Sequence, residues 1–276
     1  MSNNTLHEII IEPKGTWSGL KWRELWQYRE LIRFLVVRDI KVRYRQTVLG
    51  GLWAILQPFM SMVVFTIFFG MLAKIPSDNI PYPIFVYTAL LPWQFFSNGI
   101  SNSGNSLVAN ADLISKVYFP RIIIPVASLG AGLLDFLIAF IILIVMMIYY
   151  GIYPGWGVLL FPFLMFGIVM TTLGIGMLLS ALNVAYRDFR YVIPFLVQFW
   201  LFATPVIYPA SIIPEKWRWL INLNPMAGLI TTSRSFILNM PITWSDLGIS
   251  ILVSFILFII GVAYFNRMER RFADII

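Results

Sequence analysis

The sequence predicts an all-α integral membrane protein with six transmembrane helices, an N-terminal amphipathic helix and re-entrant outer helices between the fifth and sixth spans. Three observations carry this. Hydrophobic residues make up 59% of the 276 positions and charged residues only 12%, against roughly 25% charged in an ordinary soluble domain. Six runs nearly free of charge, 52–73, 82–104, 122–151, 157–182, 191–208 and 247–266, are each long enough to cross a hydrocarbon core as a helix. Sixteen of the 20 Lys and Arg residues then fall in segments that six crossings would place on one side.

The N-terminal segment divides into a polar tail, 1–21, and an interface helix, 22–50. In the latter, Tyr28, Leu31, Ile32, Phe34, Leu35 and Val36 share one broad side of a 3.6-residue period, with Arg29, Glu30 and Arg33 opposite. Such a basic amphipathic helix lies in the headgroup plane, and Trp17, Trp22 and Trp26 suit that depth. No charged n-region followed by an apolar h-region precedes it, so no cleaved signal peptide is expected.

The six-span domain occupies 51–276. Cations flanking spans are retained in the cytoplasm. One side carries Lys14, Lys21, Arg23, Arg29, Arg33, Arg38, Lys41, Arg43, Arg45, Lys116, Arg121, Arg187, Arg190, Arg267, Arg270 and Arg271, whereas Lys74, Lys216, Arg218 and Arg234 share the other. Both termini are therefore expected in the cytoplasm of a multi-pass plasma (inner) membrane protein. A seventh span over 220–238 is rejected, because it would contain Asn222, Asn224, Pro225 and Arg234 and place the C-terminal cations outside. Segment 212–238 reads instead as short helices that dip in from the outer side and return, which is tolerated where protein or water surrounds them.

The residues argue against bond-making chemistry. His7 is the only histidine and lies in the polar tail, so neither a histidine metal site nor a Ser-His-Asp arrangement can be assembled within one chain. Cysteine is absent, which removes disulfides and thiolate ligands. No segment matches the phosphate-cradling G-x-x-x-x-G-K-[ST] loop, and Gly174 and Gly176 sit inside an apolar run, where small residues serve helix packing. The net charge of +7 points to anionic headgroups or an acidic partner rather than to nucleic acid.

Two further signals remain. Asp135 lies within the third run and requires a polar partner or a proton; Ala127, Ala131 and Ala139 share its face at four-residue spacing, so that face meets another helix. Aromatic residues form 16% of the chain and cluster in the second and fifth runs. They serve as lipid belts, as helix contacts or as surfaces for sugar rings, and sequence alone does not separate these uses.

Four passages in order carry a resemblance: 38–58 (RDIKVRYRQTVLGGLWAILQP), 90–125 (LLPWQFFSNGISNSGNSLVANADLISKVYFPRIIIP), 182–209 (LNVAYRDFRYVIPFLVQFWLFATPVIYP) and 223–228 (LNPMAG). From about Trp22 to the C-terminal cations, the chain resembles the permease subunit of type-2 ATP-binding-cassette exporters, in particular those exporting lipid-linked polysaccharide of O-antigen, capsule or teichoic acid type. The resemblance implies a homodimer bound to two copies of a nucleotide-binding ATPase that carries the ATP and Mg, with no cofactor or metal on this chain. Loop 106–121 then resembles the coupling helix, with Asp112, Leu113, Ile114, Lys116, Tyr118, Phe119 and Arg121 as coupling residues beside Arg29 and Arg33 of the interface helix. The first, second and fifth spans resemble the lining of the outward path, a channel at the homodimer interface, which makes Phe59, Tyr87, Trp93, Phe96, Phe195, Phe199 and Trp200 its candidates. Arg38, Arg43 and Arg45 are candidates to guide an anionic lipid headgroup; Asp135 and Arg234, within the outer gate segment 212–238, are candidates for gating. The alternatives are an exporter of drugs or small lipids in the same family, a secondary flippase, and a membrane-embedded enzyme acting on lipid-linked sugars. The last lacks a convincing carboxylate pair, and the flippase has only one clear intramembrane acid.

Overall fold

A computed structural model describes residues 22–45, 50–269 and 272. The expected tail 1–21, with His7, Lys14 and Lys21, the end of the interface helix at 46–49, and Arg270 and Arg271 lie outside the described residues. Those described are mostly helical, with no strand among them.

Two helices, α1 (Trp22–Gln27) and α2 (Arg29–Arg45), meet at Tyr28. Gly50–Leu72 then forms one apolar rod, comprising a 3-10 turn, α3 (Trp53–Phe65) and a π-helical stretch over Thr66–Leu72. After it come α4 (Tyr82–Ala109), α5 (Ala111–Lys116), α6 (Ile123–Tyr150) and α7 (Phe161–Ala185), the last preceded by a 3-10 turn at Trp156–Leu160. The final elements are α8 (Phe189–Ala203), α9 (Glu215–Asn222), α10 (Pro225–Leu238) and α11 (Trp244–Glu269). Several boundaries follow directly from side chains. Gly151 ends α6 with a φ of +65°, a conformation that costs glycine nothing. Asn224 caps α10 by accepting from the Met226 N–H.

Among the described residues, four helical segments are long and apolar enough to cross a membrane: Gly50–Leu72, Ile123–Tyr150, Trp156–Ala185 and Trp244–Glu269. Helix α4 has 28 residues yet stands apart from that group because Ser and Asn crowd its second half. Helix α8 stops at Ala203 rather than running to 208, since the chain turns extended at Thr204 ahead of Pro205.

Helix α4 is the centre of the bundle. Every residue from Ile84 to Trp93 is buried, with α6, α7, α8 and α10 packed around it and α3 alongside. Backbone proximity holds α7 to α11: a Cβ on Gly174 would sit 2.5 Å from the Phe258 Cα, and one on Gly261 would strike the Gly174 carbonyl. Small residues permit this approach, and dispersion between closely packed backbones stabilises it where lipid removes the hydrophobic drive.

The interior splits into two clusters. The larger joins α4, α6, α7, α8 and α10 around Tyr87, Phe96, Phe136 and Leu229. The smaller lies at the other end and gathers Leu35 of α2, Ile114 of α5, Ile123 and Ala127 of α6, Met177 of α7 and Phe265 of α11. Within α2 the expected face is corrected at one position. Leu35 is buried, with Leu31, Ile32 and Val36 half-buried beside it, but Phe34 is exposed together with Val37. One residue is a 100° step on a helix, which carries Phe34 from the packed strip to the charged side.

Candidate functional site

The loop between α4 and α6 sorts its side chains by depth. Ile114 and Phe119 are buried in the smaller cluster, and Leu113 is half-buried beside them. Asp112, Lys116, Val117 and Tyr118 face outward, with Tyr118 76% exposed. Arg121 turns inward: its backbone N–H donates to Glu269 Oε1 at 3.1 Å and its guanidinium to the Glu269 carbonyl, so the loop is tied to the end of α11. Arg29 and Arg33 are exposed on α2, and Arg29 lies over the Trp26 ring at 5.4 Å. The loop therefore presents a short polar and aromatic ridge on a fixed apolar footing.

The three arginines grouped as headgroup guides have separate surroundings. Arg38 donates twice to its neighbour Asp39, at 3.0 and 2.7 Å, whereas Arg45 is exposed. Arg43 pairs with Asp135, and Tyr44 donates its hydroxyl to the same carboxylate. The intramembrane acid thus finds its partner on α2, 92 positions away. A close approach makes this possible, since a Cβ on Gly130 would lie 2.5 Å from Val36 Cγ1.

Aromatic path candidates divide in the same way. Tyr87, Trp93 and Phe96 are buried within the chain; Tyr87 donates to the Ala139 carbonyl at 3.1 Å, and Phe96 meets Trp200 edge to face at 5.2 Å. Trp200 in turn donates to Asn224 Oδ1 at 2.9 Å. These four hold helices together. Phe59 on α3 and Phe195 and Phe199 on α8 are exposed, and Tyr191 extends the α8 set at four-residue spacing. Prolines interrupt all three helices assigned to the path: Pro58 in α3, Pro92 in α4 and Pro194 in α8. A proline frees a backbone carbonyl and bends its helix.

Arg234 is buried without a carboxylate at bonding distance among the described residues. Its Nε donates to the Phe85 carbonyl at 3.2 Å, and its Nη2 to the carbonyls of Pro205 and Val206 at 3.2 and 3.0 Å. The guanidinium carbon also lies 3.7 Å from the centre of the Phe85 ring. One side chain of α10 thereby fixes the start of α4 and the chain leaving α8. Helix α9 is different, with Glu215 through Leu220 all exposed.

Sequence reasoning passed over one feature. A small open notch between α3, α4 and α6 is lined by Gln57, Gln94, Asn98 and Asp135 with Phe95 and Phe136. The four-residue spacing of Gln94 and Asn98 was its visible signal.

Against known proteins, the family profile described as ABC-2 type transporter matches residues 30–238. An O-antigen export system permease protein of Klebsiella pneumoniae is 33% identical over 251 residues, covering 90% of this chain and 95% of its own. One of the same description from Myxococcus xanthus is 36% identical over 213 residues, or 76% and 81% of the two chains. A polysialic acid transport protein of Escherichia coli is 25% identical over 251 residues, 87% and 93% of the two.

Proposed function

The chain belongs to the ABC-2 type transporter family, and on that premise we propose that it is the transmembrane subunit of an ATP-driven exporter of polysaccharide of O-antigen or capsule type. It is a transport permease, with nucleotide chemistry assigned to a separate ATPase that carries ATP and Mg. Relatives named for O-antigen export and for polysialic acid transport, matched along most of their length, are the observation that carries the reading.

The finer picture is a homodimer with two ATPase copies, six spans per chain, both termini cytoplasmic and a lipid-linked substrate. Helices α4 and α8 supply the two spans beyond the four apolar ones, and α9 and α10 the re-entrant outer segment. Exposed aromatic residues support the placement of these connecting segments at the two interfaces: Trp217, Trp219, Trp244 and Trp156 lie on the segments assigned to the outer side, and Trp26, Tyr118 and Tyr186 on those assigned to the cytoplasm. Tryptophan and tyrosine favour such interfaces.

Coupling is mechanical in this reading. The ATPase grips the ridge of Asp112, Lys116 and Tyr118, together with Arg29 and Arg33. Displacement passes through Ile114 and Phe119 into the cluster that also holds α2, α6 and α11. Because Arg43 and Asp135 pin α2 to α6, interface helix and third span move together and shift the path helices. Phe59, Phe195 and Phe199 face the passing chain, and Arg234 holds α10 still as a frame for the outer gate. Affinity purification of the tagged full-length chain from its own membranes tests the proposal: an ATPase is expected to co-purify, and isolation as a self-sufficient enzyme would overturn it.

A further inference from the structure

Between Ile84 and Leu107, α4 has six residues that are not buried: Gln94, Ser97, Asn98, Ser101, Asn102 and Asn105. All six are amides or hydroxyls. At 100° per residue they fall within an arc of about 140°, and they extend for about 16 Å along the helix. The stripe starts at the notch beside Gln57 and Asp135 and runs toward the α5 end of α4. Ser97, Ser101 and Asn105 bond back to carbonyls of their own helix. The side-chain amides of Gln94, Asn98 and Asn102 make no bond among the described residues.

The neighbouring helices show what a lipid-facing surface looks like in this chain. Exposed positions in the middle of α6 are Leu133, Leu137, Ile141, Ile144, Val145 and Ile148, all apolar. On α11 the large exposed side chains are likewise apolar from Ile249 to Ile260. A row of unpaired amides against hydrocarbon would cost several kcal/mol on the order-of-magnitude scale for unbonded polar groups, so the stripe faces water or polar groups.

We propose that this stripe is a hydrated track whose amides hydrogen-bond the hydroxyl groups of an uncharged glycan chain as it enters the membrane from the α5 end. The inference rests on the exporter reading above and assigns the entry half of the path to α4. Each amide offers two donors and an acceptor, which complement a hydroxyl that both donates and accepts. No ionisable residue lies between Gln94 and Asn105, so nothing on the stripe selects a charged group or holds one tightly. Bonds of this kind are exchanged one for one with water and with the next sugar, at a net gain of only about 1 kcal/mol each. A chain held this way slides. Alongside the stripe, Phe195 and Phe199 of α8 add exposed aromatic faces, since Trp200 meets Phe96 and Ile193 lies against Gly104.

The native chain has no cysteine, so single-cysteine variants report cleanly. In native membranes, with the partner ATPase present, the Asn98→Cys and Asn102→Cys variants are expected to react with a charged, membrane-impermeant methanethiosulfonate at least about tenfold faster than Ile100→Cys and Ile144→Cys, because the reactive thiolate forms in water. Unreactive 98 and 102 positions would overturn the track. In cells, the Asn98→Leu/Asn102→Leu variant is expected to lower surface polysaccharide at least about fivefold, the loss of two ordinary hydrogen bonds, while still binding its ATPase; Asn98→Gln/Asn102→Gln retains export. Undiminished export by the leucine variant would also overturn it. If the unaltered chain supports no polysaccharide export, the exporter reading fails instead, and labelling alone decides whether the stripe is wet.

Discussion

Arg43 on α2 is ion-paired with Asp135 on α6, and the adjacent Tyr44 donates to the same carboxylate. A cation expected at the headgroup rim and an acid expected to gate are thus two halves of one joint. Its place matters because α2 and α5 share the smaller apolar cluster with the first turns of α6. The joint extends that rigid contact toward the centre of α6.

Breaking the pair from one side leaves a charge in a poor environment. Arg43→Ala is expected to lower stability by about 1–3 kcal/mol, below the range for fully buried pairs because part of the arginine is exposed. Adding Asp135→Ala should restore part of the loss. Thermal unfolding of the four members of this cycle in detergent measures the coupling, and strictly additive losses would show that the pair contributes nothing.

Within the α5 loop, depth separates two kinds of variant. Ile114→Ala and Phe119→Ala remove buried side chains and should cost about 2–5 kcal/mol, read as a lower melting temperature. Lys116→Ala/Tyr118→Ala should leave melting and membrane insertion unchanged while uncoupling ATP hydrolysis from export. Unchanged export by the Lys116/Tyr118 variant would remove the loop from the coupling role.

Arg234→Met removes a donor from three backbone carbonyls; that of Phe85 keeps the Thr88 hydroxyl, whereas those of Pro205 and Val206 lose their side-chain donor, at roughly 1–3 kcal/mol for each group left unsatisfied. Hydrogen exchange is expected to rise at the start of α4 and across 204–214. Arg234→Lys should not rescue it, since an ammonium cannot reproduce the planar fork.

Gly130→Ala places a methyl against Val36 and should weaken the docking of α2 by about 1–3 kcal/mol through overpacking. Val36→Ala should relieve it. Gly261→Ala meets backbone rather than a side chain, so no trimming of a neighbour is expected to rescue that variant.

Much of the fold was legible because lipid imposes a simple rule on length and composition. The runs near 52–73, 122–151, 157–182 and 247–266 correspond to the four apolar spanning segments, with ends a few residues away. Which face of a span turns inward was not legible: lipid and protein interior are equally apolar, so Phe96, inside, and Phe199, outside, give the same signal. The partner of Asp135 lay beyond reach for another reason, because only tertiary packing through Gly130 brings Arg43 to it. By contrast, the α4 stripe was present in the spacing of Gln94, Asn98 and Asn102, where polar residues against an apolar background restore the contrast that periodicity needs.

Surface polysaccharide in the native cell, with and without this chain, tests the central claim most directly. Deletion is expected to abolish the surface polymer while its lipid-linked form accumulates on the cytoplasmic side, with both restored by the intact gene. Undiminished surface polysaccharide after deletion would contradict the assignment.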